Sequence, residues 1–435
     1  MSIKKQFAKY VSQNILGMLG VSCYIIVDTF FISKAAGADG ITALNLVLPL
    51  YGLIYAIGAM IGVGSATRFT IMRKRGEKEA DDYLFNALFW VLLLSIPFVL
   101  AGIFVPDKVV ALMGGDLQIA ALGKAYTRVF LMFTPFFMAN HVFMAYVRND
   151  KAPTLAMIAT LASSMSNIVF DYIFMFPMGL GLTGAALATV ISPILSILIC
   201  GTHFLMKKNT VRMKIGIPSL RRLGQSCQLG VAAFVGEITS AVTTTVFNFL
   251  ILGLVGNIGV AAYGIVANFA LVATAIFNGI AQGAQPLVSA QYGAGQTQGT
   301  RKLLRYGIVV AMSIAVLLVG VVWGFTDELV ALFNSEGSVE LAGYAYWAIR
   351  LYFIGYLLAG FNIVVTGFFS ATDRPKEAFV ASVLRGVVAI VICAVVMSRL
   401  WGIMGIWLAF AASELITALV AGVFLWRQKR RRMAQ

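Results

Sequence analysis

The chain is poor in charged residues, histidine and cysteine. Only 12% of its 435 residues are charged, whereas 60% are hydrophobic, and an average soluble domain carries about 25% charged residues. The mean hydropathy is +0.88. No soluble fold has an interior large enough to bury this much apolar side chain, and disordered chains are far less hydrophobic. The composition therefore predicts a polytopic membrane protein.

The scarce residue types also exclude several kinds of chemistry. The chain has two histidines, and its four cysteines show no paired spacing. The sequence therefore has few residues that could form a disulfide scaffold, a metal centre or a Ser/His catalytic site. A Gly-Lys-Ser/Thr motif, which would bind ATP phosphates, is absent from the sequence. We expect a protein that is not an enzyme and that has no cofactor.

The net charge of +15 would by itself suit a nucleic-acid partner. The basic residues are, however, spread over many short loops between apolar segments. One cluster, Arg427–Arg432, directly follows an apolar segment, where basic residues anchor a membrane protein and contact anionic lipid. We expect the lipid bilayer, and no nucleic acid, to be the partner of these charges.

Twelve apolar segments are long enough to cross a bilayer, which takes roughly 20 residues. Charged residues and clusters of glycine and proline separate them. The segments are 10–33, 41–71, 84–105, 118–147, 154–176, 181–206, 224–253, 258–291, 301–325, 340–370, 378–398 and 402–426.

The distribution of basic residues supports an even number of spans. With a cytoplasmic N-terminus, alternate loops place 25 of the 33 Lys and Arg residues on the cytoplasmic side and three on the other side. That count assigns Arg148 and Lys151 to the loop after the fourth span. Membrane proteins keep basic loops in the cytoplasm, and an odd number of spans would destroy the asymmetry. We expect a multi-pass protein of the plasma (inner) membrane with both termini in the cytoplasm.

The sequence repeats once along its length. Gly76 aligns with Gly295 at an offset of 219, and Gly181 aligns with Gly402 at an offset of 221. Because the offset drifts so little, spans 1–6 and 7–12 correspond in order and have the same orientation. Repeated bundles that face each other across a central cavity are typical of alternating-access transporters.

The predicted fold is all-α, with twelve transmembrane helices in two six-helix bundles related by this internal repeat. The predicted N-terminal lobe covers residues 1–206, a basic cytoplasmic loop covers 207–223, and the C-terminal lobe covers 224–435.

Four acidic residues lie inside the predicted spans: Asp28, Asp171, Glu237 and Glu414. An ionised carboxylate at that depth is costly, so each is a candidate functional residue. Asp28 and Asp171 both lie about five residues before the outer ends of spans 1 and 5, so their depths match. A carboxyl group away from water can carry a proton, and two close carboxylates can share a cation.

Other oxygen-bearing side chains lie near the two aspartates. Tyr24 precedes Asp28 by four residues and Asn167 precedes Asp171 by four, which is one helical turn on the same face. Thr189 lies at a comparable depth in span 6. This set suits a proton or a hard cation, so Na⁺ could bind at Asp28, Asn167, Asp171 and Thr189.

The other two acids are candidates for a substrate cavity. Glu237 lies near the middle of span 7, which also carries Asn248 and several threonines. Glu414 in span 12 either faces the same cavity or pairs with a neighbouring helix.

Several motifs resemble those of the MATE (multidrug and toxic compound extrusion) family. The run Tyr24–Ile32 (YIIVDTFFI) resembles that family's first-span motif, and Asn167–Asp171 (NIVFD) is similar to its span-5 Asn-x-x-x-Asp motif. Gly62–Ala66 with Arg75-Gly76-Glu77 resembles the end of span 2, and Arg148–Pro153 the loop before span 5. The resemblance extends over essentially the whole chain.

The resemblance implies a drug/cation antiporter whose two lobes form a V. It implies that Asp28, Asn167, Asp171, Thr189 and Tyr24 couple transport to a proton or a cation. The chain departs from the family in two respects. Many members have a proline early in span 1 and another early in span 7, and this chain has neither proline. Members with a C-lobe cation site also carry an aspartate in span 10, whereas residues 340–370 contain no aspartate.

The sequence thus predicts a monomeric secondary active transporter. It would exchange amphipathic organic cations and drugs for H⁺ or Na⁺ by alternating access, with the 31 phenylalanines and 18 methionines providing adaptable contacts. The alternative is a flippase for a lipid-linked precursor, which would line its cavity with cations. The interior basic candidates for that role are Arg68, Lys124, Arg128, Arg350 and Arg385.

Overall fold

A computed structural model describes residues 2–114, 116–206, 209–334 and 337–433. Fifteen α-helices form nearly all of this described part. They are α1 Ile3–Arg75, α2 Asp82–Phe104, α3 Pro106–Leu112, α4 Leu117–Met132, α5 Thr134–Asn149, α6 Pro153–Met175, α7 Gly181–Leu205, α8 Leu220–Val255, α9 Asn257–Gly293, α10 Thr297–Gly324, α11 Thr326–Phe333, α12 Val339–Ile354, α13 Tyr356–Ala371, α14 Pro375–Val383 and α15 Ala389–Met433.

The helices account for the twelve predicted spans. Within the described residues, nine helical stretches are long and apolar enough to cross a membrane, and two bent pairs, α4–α5 and α12–α13, bring the number to eleven. The last stretch, Pro375–Gln428, has 54 residues and would be about 80 Å long at 1.5 Å per residue. It breaks at Gly402, where the backbone leaves helical geometry, so it contains spans 11 and 12. The all-α, twelve-span prediction is confirmed.

Span boundaries differ from the predicted ones by a few residues. The first helix begins at Ile3 and α8 begins at Leu220, because charged and polar residues continue the helix into the water layer. The α8 N-terminus is fixed by the Ser219 side chain, which accepts a hydrogen bond from the Arg222 amide. The division into lobes at residues 206 and 224 stays a prediction.

The internal repeat is visible in the backbone. Gly76 and Gly295 end spans 2 and 8 with φ of 77° and 71°, and Gly181 and Gly402 separate spans 5–6 and 11–12 with φ of 51° and 58°. Only glycine adopts these left-handed angles without strain. The bends in spans 4 and 10, of 45° and 41°, also occupy corresponding positions.

Span 1 is helical throughout, although it has no proline to bend it. The first residue in α1 with non-helical backbone angles is Gly37, which separates span 1 from span 2. The region around Gly17 and Gly20, where the sequence could bend, therefore keeps helical geometry.

Two large hydrophobic clusters form the interior. One contains Tyr146, Phe130 and Phe137 from the first half of the chain, and the other contains Trp407 and Phe353 from the second. The second cluster also includes Phe7 and Val11 at the start of span 1, so the first span packs against both halves.

Glycines bring the two halves into close contact near one face of the molecule. Odd-numbered spans begin and even-numbered spans end at that face, which we call the terminal face. A Cβ atom on Gly283 would lie 2.8 Å from the Tyr10 and Val11 backbone, and one on Gly279 would lie 2.7 Å from Ile15. Gly64 on span 2 likewise lies against the Ser226 backbone on span 7, so spans 1 and 2 pack against spans 7 and 8 in the half of each helix nearest the terminal face.

Polar side chains join the halves in the same region. Arg68 forms an ion pair with Asp373 at 2.9 Å, and Gln285 donates to the Thr67 hydroxyl at 2.9 Å. These bonds and the close glycine contacts hold the terminal face closed.

Large apolar side chains cover much of the outer surface. Leu198, Phe249, Leu317 and Leu419 are exposed on spans 6, 7, 9 and 12. In water such a surface would aggregate, whereas lipid tails solvate it. The surface is that of an integral membrane protein.

Replacing Gly283 by leucine should open the terminal face. The added side chain would collide with the Tyr10 backbone, and such overpacking costs about 1–3 kcal/mol. That cost suffices to change a two-state equilibrium by roughly 5- to 150-fold. Spin labels on exposed Glu79 and Arg301 should report a larger distance in Gly283→Leu.

Gly264→Leu is the matched control, because a Cβ at Gly264 on the same helix would meet nothing within 4 Å. An unchanged distance distribution in Gly283→Leu, or the same shift in both variants, would show that this contact does not close the face.

Candidate functional site

A central cavity of about 490 Å³ lies between the two halves. A cavity of this volume fits a drug-sized molecule. Spans 1, 2, 4, 5 and 6 line it from one half, and spans 7, 8, 10, 11 and 12 line it from the other. We call its end nearest the terminal face the floor, formed by Gln13, Asn14, Arg148, Gln282 and Gln285.

Asp28 and Asp171 lie side by side just behind the cavity wall. Their carboxyl groups are within hydrogen-bonding reach of each other. Asp171 is fully buried, and both of its oxygens, like Oδ1 of Asp28, have no hydrogen-bond donor among the described residues. Two acceptor-only groups in contact require a proton or a cation between them.

The other predicted coupling residues surround this pair. The Tyr24 hydroxyl is close to both aspartates and within reach of the Tyr51 hydroxyl. Asn167 is 1% exposed and neither end of its amide has a partner in the described part of the chain. Thr189 lines the cavity and contacts the Tyr126 hydroxyl, which in turn lies near both aspartates.

A stack of aromatic rings supports this side of the cavity. Tyr51 and Tyr55 stack with ring centroids 4.3 Å apart, and their hydroxyl groups are 2.6 Å apart. Phe130 stacks on Tyr51 at 4.8 Å, and His141 meets Tyr55 edge-on at 5.0 Å. Sequence reasoning missed these residues, although Tyr51 and Tyr55 are four apart on one helix face. The rings give the cavity a flat, polarisable wall suited to aromatic ligands.

The three tentative cavity residues have different surroundings. Glu237 lines the cavity with an exposed side chain and makes no ion pair or hydrogen bond with any described residue. Asn248 is half-buried and is not part of the cavity lining. Glu414 is 1% exposed, accepts from Arg385 Nε at 2.8 Å and from Asn362 Nδ2 at 2.6 Å, and therefore lies behind the wall.

Arg385 itself does line the cavity. It lies in a π-helical turn, Leu384–Val388, between α14 and α15, and such turns often mark functional positions. Of the other interior basic candidates, Arg68 pairs with Asp373 and Lys124 approaches Asp107 at 3.7 Å.

The assignment of Arg148 to a solvated loop was wrong. Its side chain is buried at 8% exposure and lines the cavity floor. The reason is that α5 continues to Asn149, so Arg148 belongs to the last turn of span 4 and points inward. Its partners are Asn14 at 3.1 Å and, from the other half, Gln282 at 2.5 Å.

Two repeated membrane bundles that enclose one central cavity are typical of membrane transporters. The sequence model of the MatE family matches residues 14–173 and 232–395, one match in each half. The matches begin at an offset of 218, close to the offsets of the aligned glycines. The chain belongs to the MATE family of transporters.

Curated relatives and solved structures agree with this assignment. The multidrug export protein MepA of Staphylococcus saprophyticus is 26% identical over 430 residues, which cover 98% of this chain and 94% of MepA. MepA of Staphylococcus aureus strain MRSA252 is 27% identical over 419 residues, covering 94% and 91%.

Two solved structures share the fold. An outward-facing multidrug resistance MATE family transporter of the MOP superfamily has a TM-score of 0.91 at 22% identity. A MOP superfamily transporter from Pyrococcus furiosus has a TM-score of 0.89 at 23% identity. Each comparison covers 99% of this chain and 96% of the other.

The Arg385–Glu414 pair should be needed for stability. Glu414→Leu would leave the Arg385 guanidinium, which lines the cavity, without its counter-charge, and this costs about 1–3 kcal/mol of unfolding free energy. The double variant Arg385→Met/Glu414→Leu should regain most of that loss. Denaturant titration of the detergent-solubilised protein measures both values.

Glu340→Leu removes an exposed carboxylate and serves as the control, with little expected change. A double variant as unstable as Glu414→Leu would mean that the pair acts through more than its charges.

Proposed function

We propose that the protein is a secondary active multidrug exporter. It exchanges amphipathic organic compounds, with cations preferred, for H⁺ or Na⁺ by alternating access. The names of the MepA relatives support export of drugs, and a cavity of drug-sized volume between two halves supports alternating access.

The charge and chemistry of the cavity support a cationic, aromatic substrate. Glu237 exposes its carboxylate to the cavity and offers a counter-charge to an organic cation. The stacked rings of Tyr51 and Tyr55, which line the cavity from the other half, attract both aromatic groups and cations. A substrate held between these groups makes contacts with both halves.

The contact between Asp28 and Asp171 is the observation that carries the coupling proposal. Both groups cannot ionise cheaply at close range away from water, so the pair holds one proton or one cation. Its neighbour Tyr24 lines the cavity, and so connects the charge of the pair to the substrate site. Loading the pair therefore changes the packing of span 1 against spans 5 and 6 and disfavours a bound cation.

The orientation of the protein in the membrane follows from the basic loops. With both termini cytoplasmic, the terminal face is the cytoplasmic face, and its closed contacts correspond to an outward-facing stage of the cycle. Ion entry from outside releases substrate there, and ion release to the cytoplasm resets the transporter. The ligands need to favour one state over the other by a few kcal/mol.

A flippase for a lipid-linked precursor is the second candidate. It is favoured by the two arginines, Arg148 and Arg385, that line the cavity. The cavity volume of about 490 Å³ is that of a small-ligand site, which makes efflux the better proposal.

Gradient-driven efflux of ethidium from proteoliposomes tests the proposal. Asp28→Asn and Asp171→Asn should each abolish the dependence on an imposed H⁺ or Na⁺ gradient, because neither leaves a pair that needs a cation. The double variant should be no worse than either single variant. Glu237→Gln is the control acid: it should change the substrate profile and keep the dependence on the gradient.

If both single variants keep normal ion dependence, the aspartate pair only packs helices together and does not couple transport to the ion. A wild-type protein that moves no drug from a broad panel, and that rescues a flippase mutant, would favour the second candidate.

A further inference from the structure

The floor of the cavity contains a buried positive charge that no described carboxylate neutralises. Arg148 is 8% exposed, and its two hydrogen-bond partners, Asn14 and Gln282, are neutral carboxamides. Asp150 is two residues further along the chain, but its carboxylate is hydrogen-bonded to His203 Nε2 at 2.8 Å and to the Thr210 amide at 2.7 Å. Buried charges in proteins are normally paired.

The guanidinium group also has unused donors. Both carboxamide bonds go to Nη1. In the described part of the chain, Nε and Nη2 of Arg148 make no hydrogen bond, and neither is among the buried atoms sealed from the cavity. A guanidinium edge with free N–H groups forms paired hydrogen bonds with a planar carboxylate.

The two partners of Arg148 come from different halves. Asn14 lies on span 1 in the same half, whereas Gln282 lies on span 8 in the other half and is closer, at 2.5 Å. Opening of the terminal face would separate Arg148 from Gln282 and leave it facing the cavity. Gln282 thus occupies an Arg148 donor only when that face is closed.

We infer that Arg148 binds the anionic group of zwitterionic amphiphilic substrates. In the inward-open state a substrate carboxylate accepts hydrogen bonds from Arg148 while the substrate cation faces Glu237. When the face closes, Gln282 takes only Nη1, and the edge formed by Nε and Nη2 stays available to the carboxylate. This inference rests on the proposed export function and names a residue that determines its substrate specificity.

A matched pair of ligands tests the inference. Norfloxacin carries a carboxylate and a piperazine cation, and its methyl ester keeps the cation and lacks the carboxylate. The Kd of each is measured by fluorescence with the purified, detergent-solubilised full chain. Because a charge-assisted hydrogen bond is lost, Arg148→Gln should raise the ratio of the norfloxacin Kd to the ester Kd about tenfold.

Two further variants keep the test decisive. Arg148→Lys retains the charge without the planar fork, so its ratio should rise by roughly threefold, and it replaces Arg148→Gln if that variant does not fold. Arg350→Gln removes a cation that bonds to Thr326 within its own half and does not line the cavity, so it should leave the ratio unchanged.

An unchanged ratio in both Arg148 variants would overturn the inference, as would an equal rise in Arg350→Gln or a wild-type protein that binds the ester alone. A failure of the proposed export function would be seen in a different experiment. Gradient-driven ethidium efflux would then be absent, independently of the ratio of the two Kd values.

Discussion

Two carboxyl groups that touch each other away from water form the constraint on which the proposed cycle depends. Asp28 and Asp171 have no donor among the described residues for most of their oxygens, and the fold gives them no basic partner. Other carboxylates in the described interior have partners: Glu414 pairs with Arg385, Asp373 pairs with Arg68, and Asp150 hydrogen-bonds His203. The aspartate pair therefore needs a proton or a cation from solution. Because binding of that ion depends on its concentration on each side of the membrane, an ion gradient can drive transport.

Alternating access also requires two halves that can adopt two relative positions, and the internal repeat provides these halves. Each half has its own hydrophobic core, so the halves can move as units. They meet near the terminal face through glycines and a few polar bonds, such as Arg68–Asp373. A contact built from small side chains and separable hydrogen bonds can open without disrupting either core. Span 1 links the two events, because it carries Asp28 and also packs into the second core through Phe7 and Val11.

Much of the fold could be predicted from the sequence because bilayer crossing imposes a length and a hydropathy on each span. The aligned glycines were informative for the same kind of reason: Gly181 and Gly402 need left-handed backbone angles that few residues tolerate. The depth of Asp28 and Asp171 was predictable by counting residues along helices, and the structure brings the two together.

The parts that could not be predicted depend on helix rotation and on exact helix ends. Two more helical residues at the end of α5 move Arg148 from a loop to the cavity floor. Rotation of span 12 turns Glu414 toward Arg385 instead of the cavity. The stack of Tyr51 on Phe130 depends on contacts between spans 2 and 4, and a single sequence carries no signal for such pairing.

Infrared difference spectroscopy tests most directly whether the aspartate pair holds a single cation. The purified protein is compared in acidic and alkaline buffer, and then before and after addition of Na⁺. The account predicts one protonated carboxyl band that is lost at alkaline pH or on Na⁺ binding, and that is missing from the Asp28→Asn/Asp171→Asn variant. A difference spectrum that is identical in the wild type and in the double variant would contradict it.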